Sequence, residues 1–156
     1  MSIQSVQRAA FAISILAVGL FAADSPFAGN WKLNGAKSKL TGSGIGASGG
    51  VRDECDATTF KASVDTTDEK GQPIKFDYAG TLDGKPSKVT GSATMDELSL
   101  KRVNEHTIDV TAKKAGKVVY TDKRTVSKDG KTYTISRTGT SPDGKKYHAT
   151  IVFDKQ

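Results

Sequence analysis

Alternation of period two, sustained over most of the chain, constrains this protein more than any other feature. Phe60, Ala62 and Val64 share one parity, as do Ile74, Phe76, Tyr78 and Leu82, then Leu98 and Leu100, Ile108 and Val110, Val118 and Tyr120, Tyr133 and Ile135, and finally Tyr147, Ala149, Ile151 and Phe153. The intervening positions are mostly Lys, Thr, Ser and Asp. Alternation of this kind marks strands with one buried face, and no segment beyond residue 23 offers a helical period. It predicts strands over Thr59–Thr66, Pro73–Leu82, Glu97–Val103, Thr107–Lys113, Lys117–Val126, Lys131–Gly139 and Lys146–Asp154. Glycine-bearing turns separate them, at Lys70-Gly71-Gln72, Asp83-Gly84-Lys85, Ala115-Gly116-Lys117, Asp129-Gly130-Lys131 and Asp143-Gly144-Lys145, and the polar turn Asn104-Glu105-His106 divides the longest interval. Gly supplies the positive φ that a tight hairpin needs.

Successive antiparallel strands with one apolar face must pack against a partner layer or curl on themselves, and the sequence holds no helix to cover them. The expected fold is all-β, an antiparallel up-and-down barrel of about 8–10 strands. An open sandwich is the alternative that hairpins alone leave standing. Composition adds that the interior is thin. From Asp24 onward only 23 of 133 residues are Leu, Ile, Val or Phe, a share below the roughly 20% that flags disorder. The modest net charge and the long in-phase alternation argue for a folded chain instead.

The apolar residues are concentrated at the start, with 16 of them in positions 1–23. Residues 1–7 carry no acid, Arg8 supplies a positive charge, and Ala9–Phe21 is apolar except for Ser14 and Gly19, the pattern of a secretory signal helix with cleavage near Ala22 or Ala23. The run is shorter than the roughly 18–20 residues of a spanning helix. The expected organisation is a signal peptide over 1–23 and one barrel domain over 24–156. The protein would then be secreted or periplasmic, without a stable membrane anchor. Setting Arg8 aside lowers the formal charge from +6 to +5. The lysines are dispersed and no nucleic-acid motif accompanies them, so a solvated cationic surface is expected in preference to polyanion binding, and no nucleic-acid partner. A single cysteine, Cys55, forbids an intramolecular disulfide, and its parity with Val51 favours a buried core residue over a reactive thiol or a dimer bridge.

The block Phe27-Ala28-Gly29-Asn30-Trp31-Lys32-Leu33 resembles the Phe-x-Gly-x-Trp-Lys-Leu opening of fatty-acid-binding proteins and the Gly-x-Trp signature of lipocalins, both calycin barrels. The ending His148–Lys155 is similar to the last strand of that family. The overall likeness is to small secreted lipocalin-like proteins of bacteria. The resemblance implies that Gly29 and Trp31 form a structural plug at one end of the barrel. Two departures bear on function. Ile151 and Phe153 stand where fatty-acid-binding proteins hold a ligand carboxylate with Arg-x-Tyr, and glycine-rich Asn34–Gly50 reads as a mobile loop where the family has a two-helix lid.

The arginines then carry the chemistry. Beyond residue 23 they occur only at Arg52, Arg102, Arg124 and Arg137, against 18 lysines, and the last three fall on the apolar parity. Guanidinium is less strongly hydrated than ammonium and can hold a carboxylate through two parallel hydrogen bonds. Arg102, Arg124 and Arg137, with the inward Tyr120 and Tyr133, are therefore the candidate ligand-binding residues. Arg124 lies loosely where the fatty-acid-binding family has its other ligand arginine. Each also has a structural reading: Asp122 shares the parity of Arg124 and could neutralise it, and Arg137 could fill the lipocalin role of packing across the plug Trp. His106 and His148 form neither a metal pair nor a catalytic dyad, and no nucleophile, zinc or phosphate-loop motif occurs. The expectation is a monomeric binding protein, not an enzyme and without a cofactor, holding a small hydrophobic or amphiphilic ligand, anionic ones included. A filled barrel that binds a protein partner or inhibits an enzyme is the alternative.

Overall fold

The computed structural model describes residues 25–156; the expected signal helix, and cleavage near Ala22 or Ala23, lie outside the described residues. Ten antiparallel strands follow in chain order: β1 (Gly29–Leu33), β2 (Ile45–Cys55), β3 (Thr59–Asp68), β4 (Pro73–Thr81), β5 (Asp83–Lys88), β6 (Glu97–Asn104), β7 (Thr107–Lys114), β8 (Lys117–Val126), β9 (Thr132–Thr140) and β10 (Lys146–Lys155). Each strand pairs with its sequence neighbour except at one place, and β1 also pairs with β10. The result is an up-and-down meander rolled into a barrel, with the inward parity supplying the core. Phe60, Leu98, Leu100, Ile108, Ile151 and Phe153 are all buried.

The hydrogen-bonded ladder does not close. Strands β4 and β5 are its two edges, and each carries a proline, Pro73 and Pro86, the residue an edge tolerates because its missing N–H breaks no ladder bond. Side chains seal this seam: a Cβ placed on Gly80 of β4 would meet Leu100 Cδ1 at 2.9 Å and Ser87 Oγ at 3.1 Å. Asp83-Gly84-Lys85, expected as a hairpin tip, therefore is not one. The chain turns at Leu82, whose N–H bonds to Thr58 O and whose carbonyl accepts from Arg102 N–H, and Gly84 lies within β5 beside a register shift.

Two further expectations are corrected. Val118 is 54% exposed despite its expected inward parity, because a bulge opposite Ala112 and Lys113 leaves Val119 unopposed and inverts the facing of β8 before Tyr120. The glycine-rich segment is only in part a loop. A 3-10 turn at Gly35–Lys37 is tied to β10 through Asp154, which accepts from Asn34 Nδ2 at 2.6 Å and Lys37 Nζ at 2.9 Å, and from Ile45 the chain is already strand. Its glycines let strands approach where side chains could not. A Cβ on Gly50 would lie 2.4 Å from Trp31 O, and one on Gly49, at φ +106°, would lie 2.3 Å from Asp65 O.

Gly49→Ala should therefore cost at least about 3 kcal/mol, since clash with fixed backbone adds to the left-handed penalty. Gly144→Ala, at φ +82° with open space around the added carbon, should cost only about 1 kcal/mol. Urea unfolding of the two variants beside the parent measures the difference.

Candidate functional site

The β8–β9 hairpin builds the chemistry of the interior by register. Asp122 and Arg124 lie two residues apart on β8 and so share a face, and the ladder sets Arg137 of β9 directly opposite Asp122. Asp122 is thereby held by both arginines. Arg137 donates from Nε to Oδ1 at 2.7 Å and from Nη2 to Oδ2 at 2.9 Å, while Arg124 donates from Nη2 and Nε to Oδ2 at 3.1 and 3.3 Å. Arg124 is 4% exposed, Arg137 9%. Burial alone would raise the Asp122 carboxyl, but the guanidiniums of Arg137 and Arg124 outweigh it and hold the group below the usual carboxylate range.

Aromatic residues frame the cluster from across the barrel. Tyr78 of β4 accepts a short hydrogen bond on its hydroxyl from Arg124 Nη1 and stacks on Phe60 at 6.1 Å between ring centroids. The Arg137 guanidinium lies 3.6 Å from the centroid of Tyr120, whose hydroxyl donates to Met95 Sδ at 3.1 Å. Met95, in the segment between β5 and β6, is buried. Tyr133 stands apart from this group, in an aromatic cluster with Phe27, Trp31 and Phe153 at centroid distances of 5.5, 5.3 and 5.6 Å.

Of the sequence candidates, the structure thus brings together Arg124, Arg137 and Tyr120, and adds Asp122 and Tyr78. Arg102 is elsewhere, at one end of the barrel, where its Nη2 donates to Asp56 O at 2.7 Å and to Cys55 Sγ at 3.2 Å. Cys55 is buried, and burial pushes its thiol up against the opposing pull of Ser25 and Arg102. Trp31 is buried and donates from its indole N–H to Phe27 O at 2.8 Å. The cation over its ring is not Arg137: Lys155 Nζ lies 4.5 Å from the centroid. Gly29 makes room for it, since a Cβ there would sit 2.8 Å from Lys155 Nζ. Arg137 cannot fill that place because register commits it to Asp122.

Asp53 is the residue that reading the sequence missed. It lies between Val51 and Cys55 on the inward parity of β2, which is the signal that could have found it. It is 3% exposed and neither carboxyl oxygen has a hydrogen-bond partner among the described residues. Burial raises its carboxyl to about 7, against the lowering influence of Arg124 and Lys155. The two buried acids therefore behave oppositely because one has donors and the other does not.

No family model and no curated protein matches this sequence. Solved structures do. The barrel is similar to a Schistosoma mansoni fatty acid binding protein in complex with arachidonic acid, with a TM-score of 0.53 and 16% identity over 85% of this chain and 97% of that one. It is also similar to a zebrafish ileal bile acid-binding protein complexed with cholic acid, with a TM-score of 0.54 and 13% identity over 85% of this chain and 100% of the other. At these identities the likeness is one of fold alone, the ten-stranded antiparallel barrel.

Replacing Asp122 with Asn should destabilise the protein by about 3–5 kcal/mol near pH 7, because two guanidiniums lose their shared anion in a buried site. Asp53 should act in the opposite sense. The folded state keeps its proton up to about pH 7 while the unfolded chain releases it near pH 4, so its contribution to stability is full below pH 4 and is lost as the pH rises to 7. Asp53→Asn should be more stable than the parent at pH 8, by up to about 4 kcal/mol, and nearly equal to it at pH 4. Urea unfolding across that pH range checks both.

Proposed function

We propose that the protein is an exported carrier whose barrel holds a small amphiphile, its acidic head at Arg124 and Arg137 and its apolar tail among the inward aromatic and aliphatic residues. The observation that carries this reading is the ratio of charges. Two buried guanidiniums share one carboxylate, so an anion entering beside them meets a net positive site in a low-dielectric surrounding. Nε and Nη2 of Arg137 are engaged by Asp122, which leaves its Nη1 for a further acceptor. The apolar lining supplies affinity through burial at about 25 cal/mol per Å². The comparison proteins were captured with a fatty acid and a bile acid, which supports a ligand of the same general kind here.

A second reading has its own observation. Two concavities, of about 490 and 310 Å³, open to solvent around β2–β4, and neither is lined by Arg124 or Arg137. The larger is lined by charged side chains, among them Arg52, Lys61, Asp77 and Lys88, and reaches the buried Ala62 and Tyr78 at its floor. A barrel whose interior is filled and whose outer surface meets a protein partner would present such a face.

Native mass spectrometry of protein purified from its own host separates the two. The carrier reading expects a reproducible added mass released on mild denaturation, and uptake of oleate or cholate by the emptied protein. Arg137→Met should then weaken uptake about 10- to 100-fold, the worth of a hydrogen bond to a charged group. Bare protein that takes up neither compound establishes the filled barrel instead.

A further inference from the structure

We propose that Asp53 sets the charge selectivity of the barrel: an anionic ligand is held beside Arg124 and Arg137 only when Asp53 carries a proton, so anion uptake is coupled to uptake of one proton. This rests on the carrier reading and deepens it.

Geometry makes Asp53 the only inward acid left without donors among the described residues. Its neighbours in register are Gly29 on β1 and Ala62 on β3, neither of which has a side chain that can donate. The charges that act on it come from the other walls, the Arg124 guanidinium of β8 and the Lys155 ammonium of β10, and its own charge in turn bears on the phenols of Tyr78 on β4 and Tyr133 on β9. On its own strand the Cys55 thiol follows, itself bonded to Arg102 of β6. Lys155 is already committed to Ala28 O and the Trp31 ring, and Arg124 to Asp122 and Tyr78. An ionised Asp53 is thus desolvated without a hydrogen bond, a state that a proton relieves.

The interior charge follows from this proton. Arg124 and Arg137 against Asp122 leave one positive charge, and ionised Asp53 cancels it. Protonated Asp53 leaves the charge to be balanced from outside, by the ligand. The internal carboxylate and the ligand anion therefore compete for the same electrostatic site, and the winner depends on pH near neutrality, where burial places the Asp53 carboxyl. The favoured ligands are amphiphiles whose head remains anionic at the pH at which Asp53 is neutral.

The probe is 1-anilinonaphthalene-8-sulfonate, whose sulfonate stays ionised across the range used, with dodecanol as a neutral control, both titrated into the protein as purified from its own host and stripped of bound ligand, between pH 5.5 and 8.5. Sulfonate affinity should be level below about pH 7 and fall by roughly 30-fold by pH 8.5, the linkage slope for one proton per ligand, while dodecanol affinity stays constant. Calorimetry in buffers of different ionisation enthalpy should show proton uptake approaching one at pH 8.5. Asp53→Asn should bind the sulfonate at every pH with the parent's low-pH affinity. Should that variant not fold, the carboxyl resonance of Asp53 in the parent, followed by carbon NMR, should titrate near neutrality and move to higher pH when the sulfonate is bound. Sulfonate binding that is flat with pH and takes up no proton overturns the role of Asp53 and leaves the carrier standing. Absence of binding by either probe at every pH overturns both.

Discussion

Strand β1 is five residues long and pairs on both sides, with β2 and with β10, so the beginning and end of the described chain join its two halves into one ten-stranded sheet. The interior takes its position from that junction. Trp31 faces inward from the middle of the short strand, its indole N–H satisfied by Phe27 O, and Lys155 of β10 lies across its ring because Gly29 has no Cβ to block it. A buried aromatic with its polar edge bonded contributes both area and orientation. The opposite requirement, that a ten-stranded meander end somewhere, is met between β4 and β5, where prolines on both edges and the side chains of Ser87 and Leu100 take the place of ladder bonds.

Within this frame the β8–β9 hairpin concentrates charge where the barrel is otherwise apolar. Burying ions is costly unless each is paired and hydrogen-bonded. Asp122 meets that condition through four contacts from Arg124 and Arg137, and Asp53 does not. The contrast between two acids with the same intrinsic chemistry shows that the decisive variable is the supply of donors. Two guanidiniums against one carboxylate also leave the Asp122 cluster with a positive charge, the physical basis for reading the barrel as a carrier of acidic amphiphiles.

Alternation makes the barrel legible in the sequence. The inward faces of β3, β6, β7, β9 and β10 follow the parity of their apolar residues, and the glycine turns separate most of the hairpins. The failures share one cause, a local departure from period two. At Val118 a bulge inserts a residue and the facing inverts. At Asp83-Gly84-Lys85 the turn chemistry is present, but the chain bends one residue earlier because Leu82 is anchored to Thr58 and Arg102. In Ile45–Gly50 the glycines read as loop residues, whereas they serve close packing against the backbone of β1 and β3.

The candidate site divides in the same way. Parity alone put Arg102, Arg124 and Arg137 on the inward side and suggested Asp122 as a partner, because side-chain direction in a strand is a property of sequence spacing. Parity also covered Asp53, yet nothing local distinguishes an acid that will find donors from one that will not. Which arginine meets which acid, which cation crosses Trp31, and why Arg102 stands apart with Cys55 are set by register between strands and by contacts across the barrel. The sequence by itself determined the strand periodicity, most of the turns and, away from the bulges, the sorting of inward from outward residues. Only the tertiary structure decided the pairing of the buried charges, since pairing depends on distances between residues that the chain brings together from separate strands.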